Sequence, residues 1–144
     1  MTIEVLGFLH AGIRIGPTEE DAARAKAFYQ DLLGLATDGE RPYIEGIPGF
    51  WSNINGAGDR SHQVHVMGAE GESPVARSAK EDPTRAHVAF SVADLEAAKA
   101  ELTEKGVEWW EYKALVGKGS DQVFFEDPFG NMIELQQGMG AQSQ

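Results

Sequence analysis

Two rhythms of apolar and polar positions succeed one another twice along the chain. The stretch FLHAGIRI (8–15) is apolar on at least one face and predicts a strand. GPTEEDAARAKAFYQDLLGL (16–35) follows, with acidic residues near its start and Gly34 as a stop signal. Its apolar residues Ala22, Ala25, Phe28, Tyr29, Leu32 and Leu33 recur every three or four positions, which predicts a helix with Phe28, Tyr29 and Leu32 in its core face. RAHVAFSV (85–92) and ADLEAAKAELTEKGV (93–107), stopping at Gly106, repeat the strand and the helix. Short strand-like runs come after each helix: 42–46, 49–54 and 62–67 in the first half, 108–112, 122–126 and 131–136 in the second. EDPFGN joins the last two and is rich in turn formers.

Each half therefore reads βαβββ, an α+β chain of two modules in a single domain spanning 1–144. Module one covers about 8–67 and module two about 84–137; the polar stretch GAEGESPVARSAKEDP (68–83) is the linker. From His10 to Gly34 is 24 residues and from His87 to Gly106 is 19, so the first copy holds five more, expected in the GPTEED segment. A doubly wound parallel sheet does not fit, because three strand-like runs follow each helix and no Gly-rich phosphate loop opens one. The tail GMGAQSQ is expected to fray.

The formal net charge of −11 repels phosphate backbones and anionic lipid, so neither nucleic acid nor a membrane is expected as a partner. An anionic small molecule stays possible where a local cation overrides that field. Without cysteine there is no disulfide and no thiolate metal site, which agrees with a cytoplasmic location. MTIEVLGFLHAGIRIG lacks a basic n-region, so no signal peptide is expected, and no apolar run approaches the ~18 residues of a membrane span.

Three of the four histidines fall at corresponding places: His10 and His87 on the first strands of the two modules, His65 on the last strand of module one. Glu134 occupies the last strand of module two. Alternation puts His10 with Gly12 and Arg14, His65 with Gln63 and Met67, His87 with Ala89 and Ser91, and Glu134 with Met132 and Gln136. The more apolar face of each strand belongs to a core against the helices. Glu134 is then expected in a polar concavity on the opposite face, since a carboxylate in the core would be costly. His62 reads as a strand-end surface residue, and adjacent Trp109 and Trp110 should point to opposite faces.

LHAGIRI…AFYQDLLGL, AHVAFSVADLEAAKAELTEKGV and VFFEDPFGNMIEL, in that order and spacing, give a chain that resembles the vicinal oxygen chelate superfamily over about residues 8–137. That superfamily includes glyoxalase I, methylmalonyl-CoA epimerase, fosfomycin and bleomycin resistance proteins and extradiol dioxygenases. The resemblance implies paired βαβββ modules forming a curved mixed sheet around one metal per site. It implies His10, His65, His87 and Glu134 as the ligands, with His65 at a place often held by Glu or Gln. It implies Arg14 as a substrate-binding residue, as in glyoxalase I, and Glu134 as a catalytic base; His65 is the alternative base. Trp51 and Asn53 share one face of PGFWSNI and are candidate pocket residues. A homodimer is also expected.

Three imidazoles and a carboxylate suit Zn, Ni, Fe, Co or Mn better than Mg or Ca. Two open positions would accept adjacent oxygens of a small-molecule substrate and promote enediolate-type proton transfer, by an isomerase, lyase or epimerase. His10, His87 and Glu134 alone would make the donor set of an Fe(II) extradiol dioxygenase. A metal-free, bleomycin-resistance-like binding protein is the non-enzymatic alternative. Ala69, where the human-type glyoxalase I has an asparagine that contacts glutathione, leaves the substrate open.

Overall fold

The computed structural model describes residues 2–117 and 119–138. The elements are β1 (Val5–Ile15), α1 (Glu19–Ala27), a π-helical turn (Phe28–Leu32), β2 (Ala36–Asp38), β3 (Gly49–Asn53), β4 (Gln63–Gly68), β5 (His87–Val92), α2 (Leu95–Glu104), β6 (Trp109–Tyr112), β7 (Gln122–Glu126) and β8 (Met132–Gln137). The expected α+β order of strand, helix and three strands occurs twice. From Met139 on, the tail expected to fray lies outside the described residues.

Two compact units make up the chain, His10–Ala86 and the pair of segments Met1–Leu9 and His87–Gln144. β1 thus gives its first residues to one unit and the rest to the other. In the His10–Ala86 unit the strand order is β2-β3-β4-β1. β3 runs antiparallel to β2 and β4, and β4 returns parallel to β1. The other unit follows the same plan: β5 and β8 are parallel, while β8, β7 and β6 pair antiparallel. The internal repeat seen in the sequence is therefore a repeat of strand pairing, parallel once and antiparallel twice in each unit.

Local chemistry sets the helix ends. Thr18 Oγ1 accepts from Asp21 N–H at 3.0 Å, and Asp21 Oδ2 accepts from Thr18 N–H at 3.1 Å, a reciprocal capping box. Asp94 caps α2 by accepting from Ala97 N–H at 3.0 Å. After the two helical segments, Gly34 (φ 72°) and Gly106 (φ 75°) take the left-handed conformation that a helix stop favours.

Three expectations change. The 9-residue α1 runs directly into the 5-residue π-helical turn, whereas α2 has 10 residues. Four of the five extra residues thus lengthen the helical segment, which itself begins within GPTEED at Glu19. The π turn also leaves Phe28 (52% exposed) and Leu32 (68%) outside the core. Finally, the second strand of module one is Ala36–Asp38; residues 42–46 are irregular, because Pro42 lacks the N–H that a ladder needs and Gly46 has φ 81°.

The core of the His87-containing unit gathers Val92, Leu95, Ala98, Leu102, Val123 and Leu135 on the α2 side. Trp110, Phe124 and Met132 form a second cluster. Trp109 packs on the first cluster and Trp110 belongs to the second, the expected split. In the other unit α1 packs on β3 and β4, and Tyr29 meets the buried Phe50 edge-on at 6.1 Å. Among the described residues no helix is long and apolar enough to cross a membrane.

Candidate functional site

In the His87-containing unit, parallel pairing sets Ala89 of β5 beside Glu134 of β8, and antiparallel pairing sets Phe124 of β7 on its other side. Glu134 is fully buried, and His87 is 8% exposed. His87 Nε2 lies 3.0 Å from Glu134 Oε1. The other carboxylate oxygen, Oε2, accepts from Gln122 Nε2 at 3.0 Å and from Gln136 Nε2 at 2.6 Å. Two amides therefore hold one oxygen and aim the other at the imidazole. Phe124 meets His87 edge-on at 5.9 Å, and Trp110 stacks near-parallel to Phe124 at 6.2 Å. The surroundings of Glu134 are thus less polar than alternation alone suggested. Apolar walls lower the local dielectric and strengthen each interaction of the carboxylate.

The His10–Ala86 unit builds an aromatic stack. His65 lies between His10, at 3.7 Å and 17°, and Trp51, at 4.4 Å and 11°. The Arg60 guanidinium sits 5.9 Å from the centre of the Trp51 ring. Register explains the stack: Trp51 pairs with His65 across β3 and β4, and Gly12, two residues beyond His10, pairs with His65 across β1 and β4. His65 Nε2 is 2.8 Å from Gln63 Oε1. Gln63 Nε2 donates to Asn53 Oδ1 and to Asp38 Oδ2, both at 2.8 Å. Arg60 Nε also donates to Asp38 Oδ2, at 2.6 Å. Burial alone would raise the Asp38 pKa, but hydrogen bonds from the Glu40 backbone, Arg60 and Gln63 together hold it below the usual carboxylate range.

Arg14 is engaged elsewhere. Its Nη2 donates to the carbonyl of Gly71 and to Thr84 Oγ1 at 3.1 Å, and lies 3.4 Å from Asp82 Oδ2. Asp82, 2% exposed, also accepts from Ser73 N–H and Oγ at 2.7 Å, from Thr84 N–H at 2.9 Å and from Thr84 Oγ1 at 2.8 Å. Here Arg14 serves the chain between β4 and β5. His62 is exposed just before β4, as expected.

Of the residues singled out in the sequence, His87 and Glu134 meet in one unit. His10, His65 and Trp51 stack in the other, with Asn53 joined to them through Gln63. Sequence reasoning missed Gln122, Gln136, Gln63 and Asp38 as their hydrogen-bonding partners. Alternation already put Gln136 on the face of Glu134 and Gln63 on that of His65; Gln122 and Asp38 needed strand register.

Residues 14–135 match the family model described as Glyoxalase/Bleomycin resistance protein/Dioxygenase superfamily. A curated relative, "Glyoxylase I 4" of Arabidopsis thaliana, is 30% identical over 111 residues, 75% of this chain and 59% of that protein. The chain thus spans somewhat over half the length of that relative. Methylmalonyl-CoA epimerase from Mycobacterium tuberculosis has a similar solved structure, with TM-score 0.68 and 25% identity, covering 95% of this chain and 91% of that one. An E323L mutant of homoprotocatechuate 2,3-dioxygenase from Brevibacterium fuscum shares the fold at TM-score 0.61 and 19% identity, over 94% of this chain and 33% of that one.

Proposed function

Because this chain belongs to the Glyoxalase/Bleomycin resistance protein/Dioxygenase superfamily, we propose that it is a divalent-metal-dependent enzyme for a small substrate with two adjacent oxygens, transferring a proton in the enediolate manner of an isomerase, lyase or epimerase. The supporting observation is the buried His87–Glu134 pair. A carboxylate withdrawn from water needs strong compensation. Two amides engage Oε2, while Oε1 is aimed with His87 Nε2 in the way two neighbouring ligand atoms would be. Nitrogen and carboxylate donors without thiolate suit Zn, Ni, Fe, Co or Mn.

In this reading His10, His87 and Glu134 hold the ion, a group of ligand types that could do so. When bound, such an ion supplies Lewis acidity to a substrate carbonyl. His65 is assigned to proton transfer through Nδ1, with ligation through that same nitrogen the alternative that the resemblance implies; its ring lies flat between His10 and Trp51 and its Nε2 is engaged by Gln63. Trp51 supplies an apolar wall, Asn53 orients Gln63, and Arg14 secures the chain between β4 and β5 instead of gripping substrate. The protein acts as a homodimer in the cytoplasm.

The epimerase-like fold at 25% identity makes methylmalonyl-CoA the first substrate to try. Zinc-, nickel- or cobalt-loaded protein should wash solvent deuterium into the carbon acid of that thioester or of a hydroxy-ketone. Tight binding without exchange would leave the protein a binder and defeat the enzymatic reading. A second reading, an Fe(II) dioxygenase, draws on the same two histidines and one carboxylate, the donor set of a facial triad. Oxygen uptake with a catechol by the iron-loaded protein, with no deuterium wash-in, would favour it.

A further inference from the structure

We infer that Asp38, Asn53 and Gln63 form a buried relay that fixes the tautomer of His65, keeping its proton on Nε2 and its lone pair on Nδ1. The catalytic consequence of this inference rests on the reading of His65 given above; the tautomer itself does not. The argument begins at Asp38, 7% exposed, whose Oδ2 takes hydrogen bonds from Arg60 Nε at 2.6 Å and Gln63 Nε2 at 2.8 Å. An ionised carboxylate is only an acceptor. Asp38 stays ionised because burial, which would raise its pKa, is outweighed by its hydrogen bonds from the Glu40 backbone, Arg60 and Gln63.

The Gln63 amide therefore has one orientation. Its NH2 must face the carboxylate, since reversal would put two oxygens 2.8 Å apart. The second amide hydrogen points to Asn53 Oδ1, also at 2.8 Å, and Asn53 is 1% exposed. Both donors are then spent, and what Gln63 offers His65 is its oxygen, 2.8 Å from Nε2. An amide oxygen only accepts, so Nε2 must carry hydrogen. In the neutral ring Nδ1 is then the basic nitrogen. The stack confines rotation: with His10 at 3.7 Å on one face and Trp51 at 4.4 Å on the other, His65 cannot tilt without breaking a ring contact. Asp38, Asn53 and Gln63 are positioning residues, acting through His65 to decide which nitrogen takes a proton.

The test reads the tautomer directly. Full-length protein labelled with 15N-histidine is examined at about pH 8, where an ordinary imidazole is neutral, first metal-free and then zinc-loaded. Long-range 1H–15N correlations report which ring nitrogen is protonated, and loss of signals in His65→Gln assigns them. In metal-free protein the Nε2–H form of His65 should exceed the Nδ1–H form by at least about tenfold, because the alternative leaves two acceptors facing each other. Asp38→Asn, which lets the Gln63 amide turn, should bring the ratio down toward that of an unrestrained histidine. Dominance of the Nδ1–H form in the unaltered protein would overturn the inference, and should His65→Gln not fold, sequential assignment of the uniformly labelled, unaltered protein identifies the same signals. An unchanged ratio in a folded Asp38→Asn would remove Asp38 from the relay. Absence of zinc binding would sink the metal-enzyme reading while leaving the tautomer result standing, so the two failures are distinguishable.

Discussion

His87 Nε2 and Glu134 Oε1 lie 3.0 Å apart on the paired strands β5 and β8, both side chains almost wholly withdrawn from solvent. In the proposed reading both atoms would hold a divalent ion, since an imidazole nitrogen and a carboxylate oxygen are donors that suit Zn, Ni, Fe, Co or Mn. Glu134→Gln keeps the shape and removes the charge. Zinc affinity should fall by at least about 100-fold, more than the loss of an outer hydrogen-bond partner brings. The melting temperature of the metal-free variant shows separately that the fold is kept, because the substituted amide can still accept from Gln122 and Gln136 through its oxygen. Calorimetric titration of zinc beside a melting curve checks both, and undiminished affinity would take Glu134 out of the centre.

Gln136 Nε2 donates to Glu134 Oε2 at 2.6 Å, and Gln122 Nε2 does so at 3.0 Å. Partners of this kind orient a ligand and tune its basicity. Gln136→Ala should weaken zinc binding by about 10- to 100-fold. Gln136→Glu should weaken it further, since a second carboxylate would face the first. Competition against a chromogenic chelator measures both, and equal affinity in all three proteins would limit Gln136 to packing.

The repeated βαβββ plan and the strands carrying His10, His65, His87 and Glu134 were legible in the sequence because alternation and helical spacing are local properties of the backbone. β2 was not: Ala36–Asp38 is three residues long, too short to display a period, and the nearby 42–46 run carries more apolar residues. Phe28 and Leu32 fit helical spacing, but the π turn changes the angle per residue and turns them outward. Gln122 lies 12 residues from Glu134 and Gln63 lies 25 from Asp38. Those contacts depend on cross-strand register, which no local pattern states.

Asp82 holds the chain between β4 and β5 by accepting from two backbone N–H groups and two hydroxyls. Burial would raise its pKa, but bonds from the Ser73 and Thr84 backbones and hydroxyls outweigh that and lower it from the ordinary 3.8. A carboxyl with a lowered folded-state pKa contributes stability that is complete above its unfolded pKa. That contribution is lost as the pH falls through the folded value. Urea denaturation should find Asp82→Ala less stable by about 3 kcal/mol near neutrality, where buried donors lose their acceptor. The gap should narrow once the pH drops below 3.8. A gap independent of pH would assign the loss to packing alone.

Arg14 meets the same carboxylate at 3.4 Å and also reaches Thr84 Oγ1 and the Gly71 carbonyl. If its work is to secure this segment, Arg14→Ala should cost about 1–3 kcal/mol of stability, the range for charged hydrogen bonds lost from a part-buried site. Zinc affinity should not change. In a double-mutant cycle with Asp82→Ala, the combined loss should fall short of the two single losses added together by about 0.5 kcal/mol or more, because the pair shares an interaction. Urea titrations of the four proteins decide the matter. Full additivity, or a variant as stable as the parent that no longer binds an anionic thioester, would return Arg14 to substrate recognition.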